Sequence, residues 1–130
     1  MSESGTRIFE SDDAADWLDE LCTSDGTDLL SEAFSATGRL NVLDGTRILC
    51  AGAALAVALG HEIAGAPDLL KIWAAGLFED DVRALLPDAR AALQRVLGDD
   101  SELKELWQQG AAGYADWEKQ AQSLIALLRN

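Results

Sequence analysis

Five carboxylates crowd one short stretch of the chain: Asp12, Asp13, Asp16, Asp19 and Glu20. Oxygen ligands of this kind hold a hard divalent cation or meet a basic protein surface. The spacing favours a structural reading over either use. Asp13, Asp16 and Glu20 recur at helical intervals, and Ala14, Trp17, Leu18, Leu21 and Cys22 recur on the opposite side. That is the wet face of an amphipathic helix, with acids in its first turn against the positive end of the dipole. Asp25-Gly26-Thr27-Asp28 is too short for a calcium loop and lacks the distal Glu. No metal site is expected.

Other chemistry fails on spacing. His61-Glu62 begins like a zinc-protease helix, but the second histidine would fall at Gly65, and His61 is the only histidine. Catalytic zinc needs three protein ligands, which no His and Cys set here supplies. His61 reads as a helix-end side chain meeting backbone carbonyls. Cys22 and Cys50 sit among apolar neighbours and are expected to be buried thiols of a reducing compartment. Cys50 and His61 lie about three turns apart on one helix, too far for Cys–His catalysis. No serine stands in a G-x-S-x-G elbow, and no glycine-rich phosphate loop follows a strand, so no cofactor is expected.

Charge narrows the partners. The 130 residues carry 10 Lys+Arg against 23 Asp+Glu, a net charge of 10 − 23 = −13. Nucleic acids and anionic membranes need clustered cations and are disfavoured; a basic protein partner is favoured. The longest apolar run, Ile48 to Leu59, is shorter than the roughly 20 residues of a spanning helix. The opening Met1-Ser2-Glu3-Ser4-Gly5 has neither the basic nor the apolar region of a secretory signal, and a cytoplasmic protein is expected.

The elements that must position these residues are helices. Ser11 or Asp12 caps the first helix, with Ile8 and Phe9 in an arm (residues 1–10) tucked onto the body. Gly26 ends it, and Thr27 or Asp28 opens a second that closes near Gly38. Asp44 is the expected cap of a third helix, apolar on nearly every side through Ala51, Gly52, Ala53 and Ala54, hence buried. Pro67 falls in the first turn of a fourth, whose stripe is Leu69, Leu70, Trp73 and Leu77. Glu79-Asp80-Asp81 starts another turn and Pro87 restarts the helix through Leu93 and Val96. Asp99 and Glu102 are spaced as a capping box before Leu103, Leu106 and Trp107. The last helix runs from Tyr114 to Leu128. No stretch alternates like a strand. The expectation is one all-α domain over residues 1–130, an irregular or orthogonal bundle of six to seven helices around the Ala-rich third. The four tryptophans read as core, one near a border serving as a partner's anchor.

Two segments carry a resemblance. Phe9-Glu10-Ser11-Asp12-Asp13-Ala14 is similar to the opening of domain-of-unknown-function family 4259, and Ser101-Glu102-Leu103-Lys104-Glu105-Leu106-Trp107 followed by Trp117 resembles its C-terminal signature. Ser4, Arg7 and Ser11 stand where that pattern has Trp, Gly and Asn. The resemblance implies a compact bacterial cytoplasmic protein and no particular activity.

These readings converge on a non-enzymatic protein–protein interaction module of the bacterial cytoplasm, of immunity or antidote type, that binds a basic partner. Phe9, Asp12, Asp13, Asp16, Asp19 and Glu20 form the expected surface. The alternative is a small ligand- or divalent-metal-binding domain, or an enzyme, using carboxylates in a helical cleft. Self-association is a third reading.

Overall fold

A computed structural model describes residues 12–24, 26–63, 66–109 and 113–129. Their helices are α1 (Asp12–Cys22), α2 (Asp28–Phe34), α3 (Val42–Ala58), α4 (Asp68–Ala75), α5 (Glu79–Ala84), α6 (Leu86–Val96), α7 (Glu102–Gln109) and α8 (Tyr114–Leu127). The expected arm at residues 1–10 and the cap at Ser11 lie outside the described residues.

An unbroken buried run from Ile48 to Ala56 makes α3 the axis of the bundle. It packs against α1, α2, α4, α6, α7 and α8. Glycines let two of these come close. A Cβ on Gly45 would stand 3.0 Å from the Leu103 Cβ of α7, and one on Gly52 would stand 3.1 Å from the Leu93 Cδ1 of α6. The helix starts earlier than the sequence suggested: the Asn41 side chain is the cap, accepting from the Asp44 N–H at 2.7 Å. Asp44 instead lies in the first turn, where its charge meets the dipole.

On α1, Ala14, Trp17, Leu18 and Leu21 are buried as the spacing requires. Gly26 follows at φ 74°, a left-handed conformation that glycine adopts without strain.

The α2–α3 link is tied down from two sides. The Arg95 guanidinium of α6 donates to the carbonyls of Ala36 and Gly38. Arg39 reaches α7, with Nε 3.3 Å from Glu102 and Nη2 2.7 Å from Glu105. The hydrogen bond to Glu105 is the largest cause holding Arg39 above its ordinary pKa. Between them Leu40 pairs with Ser101 in an isolated parallel bridge, its N–H donating to the Asp100 carbonyl at 2.8 Å and its carbonyl accepting from Glu102 N–H at 2.9 Å. Buried Ser101, not Asp99, caps α7, accepting from the Lys104 N–H at 3.2 Å. Arg95→Ala leaves two carbonyls without a charged donor, and the expected loss is about 1.5 kcal/mol. A lower urea midpoint with faster amide exchange at Leu40 checks this. Arg95→Lys, lacking the planar fork, should recover only part.

The second half departs most from the sequence reading. Leu85 alone separates α5 from α6, so eight helices are described where six to seven were expected. Pro67 is the residue before α4, not its first turn. That helix buries Leu70 and Ala74, while Leu69 is 64% exposed and Ile72 68%. Short helices at a bundle's edge have only one packed side, and α4 turns it toward α1 and α3. The Trp73 indole N–H fixes that orientation by donating to the Ser24 carbonyl at 3.0 Å. Leu106 of α7, expected inward, is 52% exposed. Trp17 and Trp117 are core residues, whereas Trp73 and Trp107 are half-buried, Trp107 stacked on Trp117 with ring centroids 6.2 Å apart. Among the described residues no helix is long and apolar enough to cross a membrane.

Candidate functional site

The acidic face of α1 lies where its spacing put it. Asp13, Asp16, Asp19 and Glu20 are all exposed. Phe9 lies outside the described residues, as does the side chain of Asp12. Of the expected set, Glu20 lines a concavity. A notch of about 130 Å³ between α1, α2 and α3 is lined by Trp17, Glu20, Leu29, Glu32, Ala33, Ala36, Asp44 and Arg47.

Each helix contributes for a local reason. Trp17 is on the buried stripe of α1 and Glu20 three residues later faces water at its edge, so the same turn supplies an apolar and a charged side chain. Leu29, Glu32 and Ala33 recur at i, i+3, i+4 on α2. Asp44 and Arg47 project from the first turns of α3, a position set by the Asn41 cap. Three carboxylates against one guanidinium give the lining a formal charge of 1 − 3 = −2. Trp17, Leu29, Ala33 and Ala36 are the apolar members of the lining. Such a surface accepts a cationic head on a hydrocarbon stem. Among the described residues no three His, Cys, Asp or Glu side chains are grouped to hold a metal ion.

Sequence reasoning missed Glu32, Asp44 and Arg47 as site residues. Asp44 was read as a cap, and nothing local marks the other two, since helix packing alone brings them to Glu20. It also missed the exposed apolar residues beside α4. Leu69 and Ile72 share one side of that helix, and Phe78, 76% exposed, follows it just before α5. Exposed acids flank them at Asp68 and at Glu79, Asp80 and Asp81.

The model of the family described as a domain of unknown function, DUF4259, matches residues 3–120. The chain belongs to DUF4259. That match takes in every residue of the notch and stops within α8 of this DUF4259 protein. No curated protein and no solved structure matches the chain.

The thiols of this DUF4259 protein differ. No disulfide joins them; Cys22 is half-buried and Cys50 buried. Burial, then the charge of Asp19, raises Cys22, while burial pushes Cys50 up to about 12. An aromatic disulfide reagent should therefore modify Cys22 first and Cys50 only as the protein unfolds. The sign of the pH effect follows. In the unfolded chain a thiol ionises near about 8.5, so above that pH the folded state holds a proton the unfolded chain has lost. Stability falls as pH rises toward the folded value. Cys50→Ala should flatten that alkaline slope, measured as Tm against pH; an unchanged slope would refute the assignment.

Proposed function

We propose that this chain is a non-enzymatic interaction module of the bacterial cytoplasm, of immunity or antidote type. It covers a basic partner by receiving a lysine or arginine side chain in the α1–α2–α3 notch. The observation that carries this reading is the notch itself, where Glu20, Glu32 and Asp44 outnumber Arg47 beside Trp17, Leu29, Ala33 and Ala36. The partner's methylene stem lies on Trp17 and Leu29 while its charged head meets the three carboxylates. At about 130 Å³ the notch suits the end of one side chain. Small-molecule sites run to about 300–1,000 Å³, which favours a protein partner over a substrate here. The net charge of −13 supports steering of a basic surface toward it. Leu69, Ile72 and Phe78 supply apolar area of the kind that lies at the centre of protein interfaces.

The test is capture from native lysate by the immobilised chain, beside a Glu20→Lys/Glu32→Lys variant, at low and high salt. Both residues are exposed, so the reversal spares the core. A basic protein held by the wild type, released by salt and lost from the variant is the expected result. Equal retention by both proteins would sink the proposal.

A further inference from the structure

Basic residues are few and scattered along this chain, yet one cleft gathers them. It measures about 320 Å³ and is lined by Leu59, His61, Arg83, Ala126, Leu127 and Arg129. The sole histidine meets two of the 10 Lys+Arg residues there, and no carboxylate is among the described lining residues. In a chain with 23 acids this is the reverse of the overall composition. His61, Arg83 and Arg129 are all exposed to an incoming ligand.

The donors are available. Arg83 uses its Nε–H on Glu79 at 2.8 Å, an i, i+4 pair that steadies the side chain and leaves both Nη groups. The carbonyl end of α8 has its own cation, because Arg90 Nη1 donates to the Leu128 carbonyl at 2.8 Å. His61 is carried into the cleft by the turn at Gly60, whose φ of 98° suits glycine and ends α3. Leu59, Ala126 and Leu127 add an apolar wall. The volume is at the lower end of small-molecule sites, about 300–1,000 Å³.

We infer that this cleft binds a small organic anion, its oxyanion head held by Arg83, Arg129 and His61 and its apolar body against Leu59, Ala126 and Leu127. Guanidinium forks match carboxylate and phosphate oxygens in paired hydrogen bonds. Glu79 offsets part of the Arg83 charge, and repulsion from acids farther away is screened at physiological salt over about 8 Å, so His61, Arg129 and the two Arg83 Nη groups face the ligand. The inference does not rest on the notch, which lies between other helices.

The experiment is an NMR titration of the full chain with inorganic phosphate, phenyl phosphate and benzoate, at ionic strength held constant with chloride. The His61 ring and the Ala126 and Arg129 amides report binding. Saturable shifts are expected, with phenyl phosphate or benzoate tighter than inorganic phosphate because only they reach the apolar wall. Phenyl phosphate ahead of benzoate assigns a phosphate head, and the reverse a carboxylate. Arg83→Gln/Arg129→Gln, two exposed changes, should weaken binding about tenfold or more. Shifts that never saturate, or that persist in the double variant, would overturn the inference. They would leave these cations as partners of helix carbonyl ends. Failure at the notch would leave this outcome untouched.

Discussion

Leu93→Ala is expected to remove about 3 kcal/mol of stability. Leu93 is fully buried on α6, and its methyl carbons lie against Gly52 of α3. Truncation loses the transfer free energy of the side chain and leaves a cavity that two rigid helices cannot close. Because α3 packs against α1, α2, α4, α7 and α8 as well as α6, loosening this contact weakens the frame that sets α1 and α2 around the notch. Urea unfolding should show a lower midpoint with an unchanged slope. A loss below about 1 kcal/mol would mean the α3–α6 contact is not a tight one.

Gly52→Val attacks the same contact from the other side, with an expected cost of about 2 kcal/mol. The added Cβ already stands 3.1 Å from Leu93 Cδ1, tighter than ordinary contact, and the γ-methyls have nowhere to go. Helix propensity pulls the other way by a few tenths of a kcal/mol, since valine is a better helix residue than glycine, but overpacking wins. The double variant Gly52→Val/Leu93→Ala should be more stable than the sum of the single losses, the new valine filling part of the space vacated by leucine. Strict additivity in the unfolding midpoints would show that the two residues do not share that space.

How much of this was legible in the sequence depends on distance along the chain. The Ala14–Leu21 stripe, the Gly26 stop and the all-round apolar character of α3 are local patterns, and they fold as read. Propensity misplaced caps where two good candidates stood close together. Asn41 prevailed over Asp44, and Ser101 over Asp99, because the neighbouring chain fixed where the helix could begin. In α3 the link to α2 is held by Arg95; in α7 the Leu40–Ser101 bridge sets the start. Apolar spacing also overstated burial at Leu69 and Leu106, since a short helix touching few neighbours covers only part of its stripe. The acidic face of α1 was readable, but the notch was not. Glu20, Glu32 and Asp44 meet only through packing of α1 and α2 on α3, which no residue spacing encodes. The same holds for His61, Arg83 and Arg129, which follow α3, lie in α5 and follow α8.

The central claim is that the notch, rather than acidity in general, receives a basic side chain. Titration of the labelled wild type with a short peptide carrying one arginine among neutral residues tests it most directly. The account predicts saturable shifts at the Trp17 indole N–H and the Ala33 and Ala36 amides, absent in Glu20→Lys/Glu32→Lys. Shifts spread over Asp13, Asp16, Asp80 and Asp81, with the Trp17 indole unmoved, would contradict it.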